Sequence, residues 1–312
     1  MHVAIFVDME GAFGIWRRRQ CHPGTPEWQY GRACLTDDVN AAIQGAFDGG
    51  ASAVTVKDTH GLGYNCLAGK LDPRARYLGG HYIVPSLFGD VSGYDLALHL
   101  GIHASAGTPD AFFPHTYSGA IVQVRVNGTP RGETELMAAY LGELGIPVGF
   151  VSGDKTAVDQ ARAFLPWVER VVVDKREATY ASEPGCTHCL HQGRQELRAR
   201  AEAAVDNAGA MRSYAIPGPL QIELEFRSPE EARKHNSWGY ARRGGVLEFA
   251  APDMVGGHDL LCRAAFYPRM LLRVRRPTCF AIRAFCFLRY NYFVPRPQPK
   301  PWSPPAQLAV SD

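Results

Sequence analysis

The sequence predicts an α/β protein: a doubly wound, mostly parallel sheet, then a second, smaller α+β domain, then a divergent C-terminal tail. Three observations lead there. Short apolar runs rich in β-formers alternate with segments of helical periodicity up to about residue 208. From Gly209 the texture changes to alternating strands separated by one short helix. Beyond Tyr267 the chain is rich in Arg, Pro and aromatic residues, with Pro268 and Pro277 interrupting any long helix. The expected domains are therefore 1–208, 209–267 and 268–312.

The elements follow in order. His2–Val7 is a nearly continuous apolar run, as expected of a strand buried on both faces. A polar stretch extends to about Leu35, where Thr36 looks like a helix cap with Asp37 and Asp38 in the first turn. Val39, Ala42, Ile43, Ala46 and Phe47 continue at helical spacing, and Gly49-Gly50 closes the helix. Strands are expected at Ala53–Val56, Leu96–Leu100, Ala120–Val126, Val148–Val151 and Arg170–Val173. Helices are expected at Glu133–Leu144, Lys155–Leu165 and roughly Gln192–Asn207. Asn127-Gly128 marks a tight turn. In the second domain, Leu220–Phe226 and Val246–Phe249 read as strands, and Ser228-Pro229 as the start of a short helix. Pro295–Pro305 reads as an extended or disordered proline-rich stretch.

Composition narrows the function classes. With 312 residues, 46% hydrophobic and 21% charged, the chain is an ordinary globular one, not a disordered or fibrous one. The net charge of +2 is unevenly distributed. From Leu260 to Ser311 there are nine basic residues and no acid; with these and the terminal Asp312 set aside, the remainder carries 24 basic against 30 acidic residues, a net of −6. A mildly acidic body argues against nucleic-acid binding by the main fold. The basic, aromatic tail could contact RNA or an anionic membrane surface, but it has enough apolar area to pack on a neighbouring subunit instead. No apolar run is long enough to span a membrane. The first residues lack a basic segment followed by a long apolar one, so no secretory signal is expected. With eight cysteines, a reduced, cytoplasmic protein is the expectation.

The polar residues fall at informative places. Asp8 and Glu10 follow the first strand, His60 the second and His103 the third, while Glu133 opens a helix. In a parallel α/β sheet the carboxyl ends of the strands share one edge, where ligands bind. Three carboxylates and two imidazoles exceed the three protein ligands of a catalytic zinc, and suit two metals about 3.5–4 Å apart with one carboxylate bridging. The mixed N/O set fits Zn²⁺, with Mn²⁺ or Co²⁺ also compatible. His115, in a loop after His103, has a residue type suited to general-base or nucleophilic work. Cys186 and Cys189 form one CxxC without a second ligand pair. Gly61-Leu62-Gly63 and Gly79-Gly80 lack the full phosphate-loop patterns.

Several blocks then carry a resemblance. Val7-Asp8-Met9-Glu10-Gly11, Asp58-Thr59-His60, Gly101-Ile102-His103-Ala104 and His115-Thr116-Tyr117-Ser118 stand in order, followed by Val126-Asn127-Gly128, Gly132-Glu133 and Val151-Ser152-Gly153-Asp154. Over residues 1–255 the sequence resembles the DppA-type D-aminopeptidases, the M55 family of zinc peptidases. The resemblance implies a dinuclear zinc site, two Zn²⁺ per subunit. Asp8 would bridge both ions, Glu10 and His60 would complete one site, and His103 and Glu133 the other. It implies His115 as catalytic nucleophile or base. It also implies a ring-forming homo-oligomer, a decamer in the type member, acting on short peptides with an N-terminal D-residue, D-alanine above all. Glu135 and Met137 stand where the family usually has a small residue and Asn, and the stretch Ala12–Arg19 is bulkier and more basic than usual. On the same ligands, a dinuclear amidohydrolase or phosphoesterase is an alternative, as is a non-catalytic peptide-binding protein with a vestigial site.

Overall fold

β1 (His2–Val7) lies inside a parallel sheet because it is apolar on both faces: five of its six residues are buried. The structure, a computed structural model, describes residues 1–61, 63–80, 89–176 and 185–266, with Thr179 and Ala284. After β1 come α1 (Pro26–Asp48), β2 (Ala53–Asp58), β3 (Arg76–Leu78), β4 (Leu96–Ile102), β5 (Ile121–Val126) and β6 (Thr129–Pro130). Then follow α2 (Glu133–Glu143), β7 (Val148–Asp154), α3 (Lys155–Phe164), β8 (Glu169–Val173) and α4 (Gly185–Asp206). The last elements are β9 (Leu220–Phe226), α5 (Pro229–His235), β10 (Ala241–Arg243), β11 (Val246–Ala251) and α6 (Met254–Phe266).

Six parallel strands form one sheet in the order β3-β2-β1-β4-β7-β8. Side chains of β1 alternate between two cores, as the pleat requires. Val3, Ile5 and Val7 pack with Leu35 and Ile43 of α1 and Leu197 of α4. Ala4 and Phe6 pack with Leu141 of α2 and Ala157 of α3 on the other face. The chain steps outward from β1 to β2 and β3, then returns to β4 on the opposite side of β1. The carboxyl ends of β1 and β4 therefore flank the switch point, where such folds form a crevice. Two glycines let these ends touch. A Cβ on Gly101, whose φ is +81°, would lie 2.1 Å from Asp8 O, and one on Gly11 would lie 2.1 Å from Ile102 O.

A second, antiparallel sheet has the order β10-β11-β9-β5-β6. Its inner face, including Val124 and Leu224, meets Leu136 of α2 and Leu261 of α6. α2 thus lies between the two sheets and ties them together.

Most expected elements are present, and three differences have physical causes. The strand expected at Ala120–Val126 is not in the parallel layer: it pairs with β9, far along the chain, and joins the second sheet. The Asn127-Gly128 turn is as expected, with φ +51° and +75° joining β5 to β6. The first helix begins at Pro26, not Thr36: Thr25 Oγ1 caps it by accepting from Trp28 N at 3.1 Å. Thr36 is buried inside the helix, where its hydroxyl donates to Arg32 O at 2.7 Å. Its hydroxyl also accepts from Leu67 N. Asp38 is not a first-turn acid but accepts from Phe13 N at 2.7 Å. α4 starts at Gly185, earlier than Gln192, so the CxxC lies on a helix. β3, β10 and α6 were not expected from the pattern. The basic tail from 268 lies outside the described residues, apart from Ala284. Among the described residues, no helix is long and apolar enough to cross a membrane.

Candidate metal centre

Asp8 leaves β1 at the switch point and presents one oxygen to each of two histidines. Oδ1 is 3.0 Å from His60 Nδ1, and Oδ2 is 3.2 Å from His103 Nε2. Met9 N donates to Oδ1 at 2.7 Å and holds the carboxylate in this orientation. Glu10, 1% exposed, lies with Oε2 2.9 Å from the same His60 nitrogen. Its Oε1 is 3.8 Å from His115 Nε2. Glu133, the first residue of α2, has Oε2 3.6 Å from His103 Nε2 and accepts from Tyr117 N at 2.7 Å. The six residues singled out in the sequence thus converge on one rim. Two groups of ligand atoms result, each within 4.8 Å: Asp8, Glu10 and His60 in one, His103, His115 and Glu133 in the other.

The outer nitrogen of each imidazole rests on a backbone carbonyl. His60 Nε2 is 3.0 Å from Cys21 O, His103 Nδ1 is 3.0 Å from Ala104 O, and His115 Nδ1 is 2.9 Å from Phe113 O. Only an N–H satisfies a carbonyl, so a neutral ring directs its lone pair inward. Metal-ligating histidines are typically oriented in this way. Carboxylate oxygens face those lone pairs at 2.9–3.2 Å for His60 and His103 and at 3.8 Å for His115, and the closer pairs need a proton or a cation between the partners. Glu10 Oε2 is buried without a hydrogen bond among the described residues, because the nearby His60 nitrogen is not aligned with it. This orphaned oxygen, with the mixed imidazole and carboxylate set, fits zinc.

Protons show the same pull. Burial disfavours charge on His103, but hydrogen bonding and attraction from Asp8, then Glu133, push its pKa up to about 10. Burial likewise opposes charge on His60, but Glu10 and Asp8 raise it well above the ordinary value. Burial would raise the Asp8 carboxyl, yet His103 and His60 hold it well below. Burial raises Glu133, with His103 opposing.

His103 and His115 stack with ring centroids 3.8 Å apart and 8° between planes. The His115 loop contains three non-glycine residues at positive φ, Asp110, Phe113 and Tyr117 (56°, 50° and 59°). Such backbone strain concentrates at functional sites. A pocket of about 430 Å³ opens onto Asp8, Glu10, His60 and His115, with Phe113 and Phe266 on its walls.

Supporting residues were not visible in the sequence pattern. Lys175 Nζ donates to Ala12 O at 2.6 Å and Ile15 O at 3.0 Å, pinning the loop that follows Glu10. Burial lowers its pKa to about 8. Asp58 accepts from Asn65 N, Asn65 Nδ2 and Cys66 N, and Asn65 in turn donates to His60 O at 2.7 Å. Such roles are set by contacts across 100 residues or more in the first case, and no local spacing announces them. Glu135 turns elsewhere, pairing with Arg131 and Tyr214. Cys189 is a free thiol, and among the described residues it belongs to neither cation-binding group.

Comparison with known proteins identifies relatives of this fold. A curated D-aminopeptidase of Bacillus subtilis (strain 168) is 28% identical over 268 residues, covering 84% of this chain and 95% of that protein. The solved structure of the zinc-dependent D-aminopeptidase DppA from Bacillus subtilis, described as a self-compartmentalizing protease, superposes with a TM-score of 0.76 at 24% identity. That match covers 86% of this chain and 98% of the other. Residues 1–258 match the family of M55 peptidases, described as D-aminopeptidase. With two sheets, a crevice at the switch point and a family match spanning most of its length, the chain belongs to the M55 peptidase family.

Proposed function

We propose that this protein is a dinuclear zinc aminopeptidase that hydrolyses short peptides with an N-terminal D-amino acid such as D-Ala. The observation that carries the two-ion reading is Asp8, whose oxygens each face a different imidazole at 3.0 and 3.2 Å. Asp8 would be shared, with Glu10 and His60 completing one zinc site and His103 and Glu133 the other. Zinc, when bound, supplies Lewis acidity toward the scissile carbonyl and lowers the pKa of water at the site. The chain's own residues do the rest. His115 is the proton carrier: its Nδ1 is fixed on Phe113 O and its Nε2 faces Glu10. It takes a proton from the attacking water and returns it to the leaving amine, while Glu10 stabilises the imidazolium. The preference for a D-residue is supported by the family match and by the curated relative. A homo-oligomer is supported by the relative described as self-compartmentalizing, and a decamer is the subunit number proposed for this chain. Cys21, Cys34, Cys66, Cys189 and Cys262 are free thiols, in keeping with a cytoplasmic protein.

Metal quantification coupled to hydrolysis of matched D-alanyl and L-alanyl peptides tests this reading. Two zinc ions per chain and faster release from the D-peptide are expected. One zinc or fewer per chain removes the bridged pair, and equal or faster L-peptide cleavage removes the D-preference.

A further inference from the structure

β4 itself carries a histidine, His99, four residues before His103. It is 1% exposed, and neither Nδ1 nor Nε2 has a hydrogen-bond partner among the described residues. A neutral imidazole has one donor and one acceptor, and leaving either buried and unpaired is destabilising. Its ring meets Phe6 edge to face, with centroids 5.6 Å apart. An apolar ring would serve that contact equally well, so packing alone gives no reason for an imidazole here. Burial lowers its pKa to about 4, so the ring is neutral at physiological pH.

Beside His99 lies a cavity of about 10 Å³ whose walls also include Asp8, Thr59, His103, Glu133 and Thr134. A buried water needs about that much space and two to four polar partners. The cavity has the volume, one unpaired imidazole and two carboxylates of the metal centre. Glu10 and His60 do not line it.

We propose that His99 anchors one buried water, donating its N–H to the water oxygen, while the water donates its protons to the Asp8 and Glu133 carboxylates. His99 is then a positioning residue for the metal centre. Carboxylates fixed from behind keep their remaining lone pairs aimed at the cation, and loss of such outer partners typically costs 10–100-fold in metal affinity or activity. The inference deepens the zinc reading and rests on it. Because the cavity borders Asp8, His103 and Glu133, the effect falls on the zinc held by His103 and Glu133.

Two arms test it on the full chain. A high-resolution crystal structure of the wild-type protein is expected to show a water within hydrogen-bond distance of a His99 nitrogen and of a carboxylate of Asp8 or Glu133. A dry cavity overturns the proposal whether or not the protein binds zinc. Chelator competition with zinc is then compared in the wild type, His99→Phe and His99→Gln. His99→Phe is expected to weaken one zinc by roughly tenfold. Its zinc-free melting temperature should change little, because losing the hydrogen bond to the water is offset by replacing a buried polar ring with an apolar one. His99→Gln, which keeps an N–H donor, should restore most of the affinity. Wild-type zinc affinity in His99→Phe, or equal loss in His99→Gln, overturns the positioning role. A wild type that binds no zinc at all defeats the proposed function instead, and the crystallographic arm still decides the water.

Discussion

Replacing Gly101 by alanine measures how tightly the two ligand-bearing strand ends must fit. Gly101 has φ +81°, and its added Cβ would stand 2.1 Å from Asp8 O and 2.9 Å from Asp8 C. The left-handed backbone costs an L-residue about 1–2 kcal/mol. The contact is worse, because both atoms are backbone and neither can rotate away. The ends of β1 and β4 must separate by about 1 Å, the overlap below normal van der Waals distance. Two bonds span that seam, Asp8 N to Leu100 O and Gly11 N to Gly101 O, both 2.8 Å. Weakening them costs about 1 kcal/mol each, so the total loss is about 3–4 kcal/mol. For a domain of this size that corresponds to a melting temperature lower by about 10 °C. A shift of 1 Å between Asp8 and His103 also exceeds the roughly 0.5 Å tolerance of a catalytic constellation. Activity should fall by about 10²-fold, the cost of such a misplacement. Gly128→Ala is the control: its φ is +75°, but nothing lies within 4 Å of the added Cβ. It should lose only about 1 kcal/mol and retain its zinc. Differential scanning calorimetry and zinc analysis on both variants provide the readout. A Gly101→Ala protein that melts like Gly128→Ala and keeps full zinc would refute the reasoning.

Asp8→Asn preserves shape but removes the shared charge, and it should abolish binding of both zinc ions, measured by atomic absorption; retention of one ion would show that Asp8 is not shared. His115→Ala should keep zinc while kcat falls by about 10²–10⁴, the usual worth of a positioned proton carrier; an equal loss of zinc would make His115 a ligand, as its grouping with His103 and Glu133 permits. Burial holds His258 down to about pKa 3. Its contribution to stability is therefore present above pH 6.5 and is lost as pH falls from there toward 3. In zinc-free protein, His258→Leu should shrink the difference in urea-unfolding stability between pH 7 and pH 4.5 by about 2–3 kcal/mol, and an unchanged slope would count against it. Lys175→Met releases Ala12 O and Ile15 O and should weaken zinc binding through the Glu10 loop by roughly tenfold, checked by chelator competition. Thr25→Ala should cost about 1 kcal/mol of stability as loss of a true cap; a smaller effect on the melt would place the start of α1 elsewhere.

Much of the candidate site was legible because a parallel sheet converts sequence order into spatial convergence. β1 is apolar on both faces, so it must be interior, and a polar residue immediately after an interior strand must emerge at the carboxyl edge. That logic brought Asp8, Glu10, His60 and His103 to one rim, and the helix start brought Glu133. The same local reasoning failed at α1. Residues 26–35 include Gly31, Arg32 and Cys34, which dilute the apolar period, and Thr36-Asp37-Asp38 imitates a cap. Arg32 is nonetheless buried, because its guanidinium donates to Asn65 O and Tyr64 O.

By itself, then, the sequence determined the strand and helix periods, the identity of the donors and the edge at which they gather, since each depends on neighbours within a few residues. Only the tertiary structure decided that β5 leaves the parallel layer for β9, that each Asp8 oxygen meets a different histidine, and that His99 is buried with no hydrogen-bond partner among the described residues. Those outcomes depend on hydrogen bonds and contacts between segments tens of residues or more apart, whose geometry no local pattern encodes.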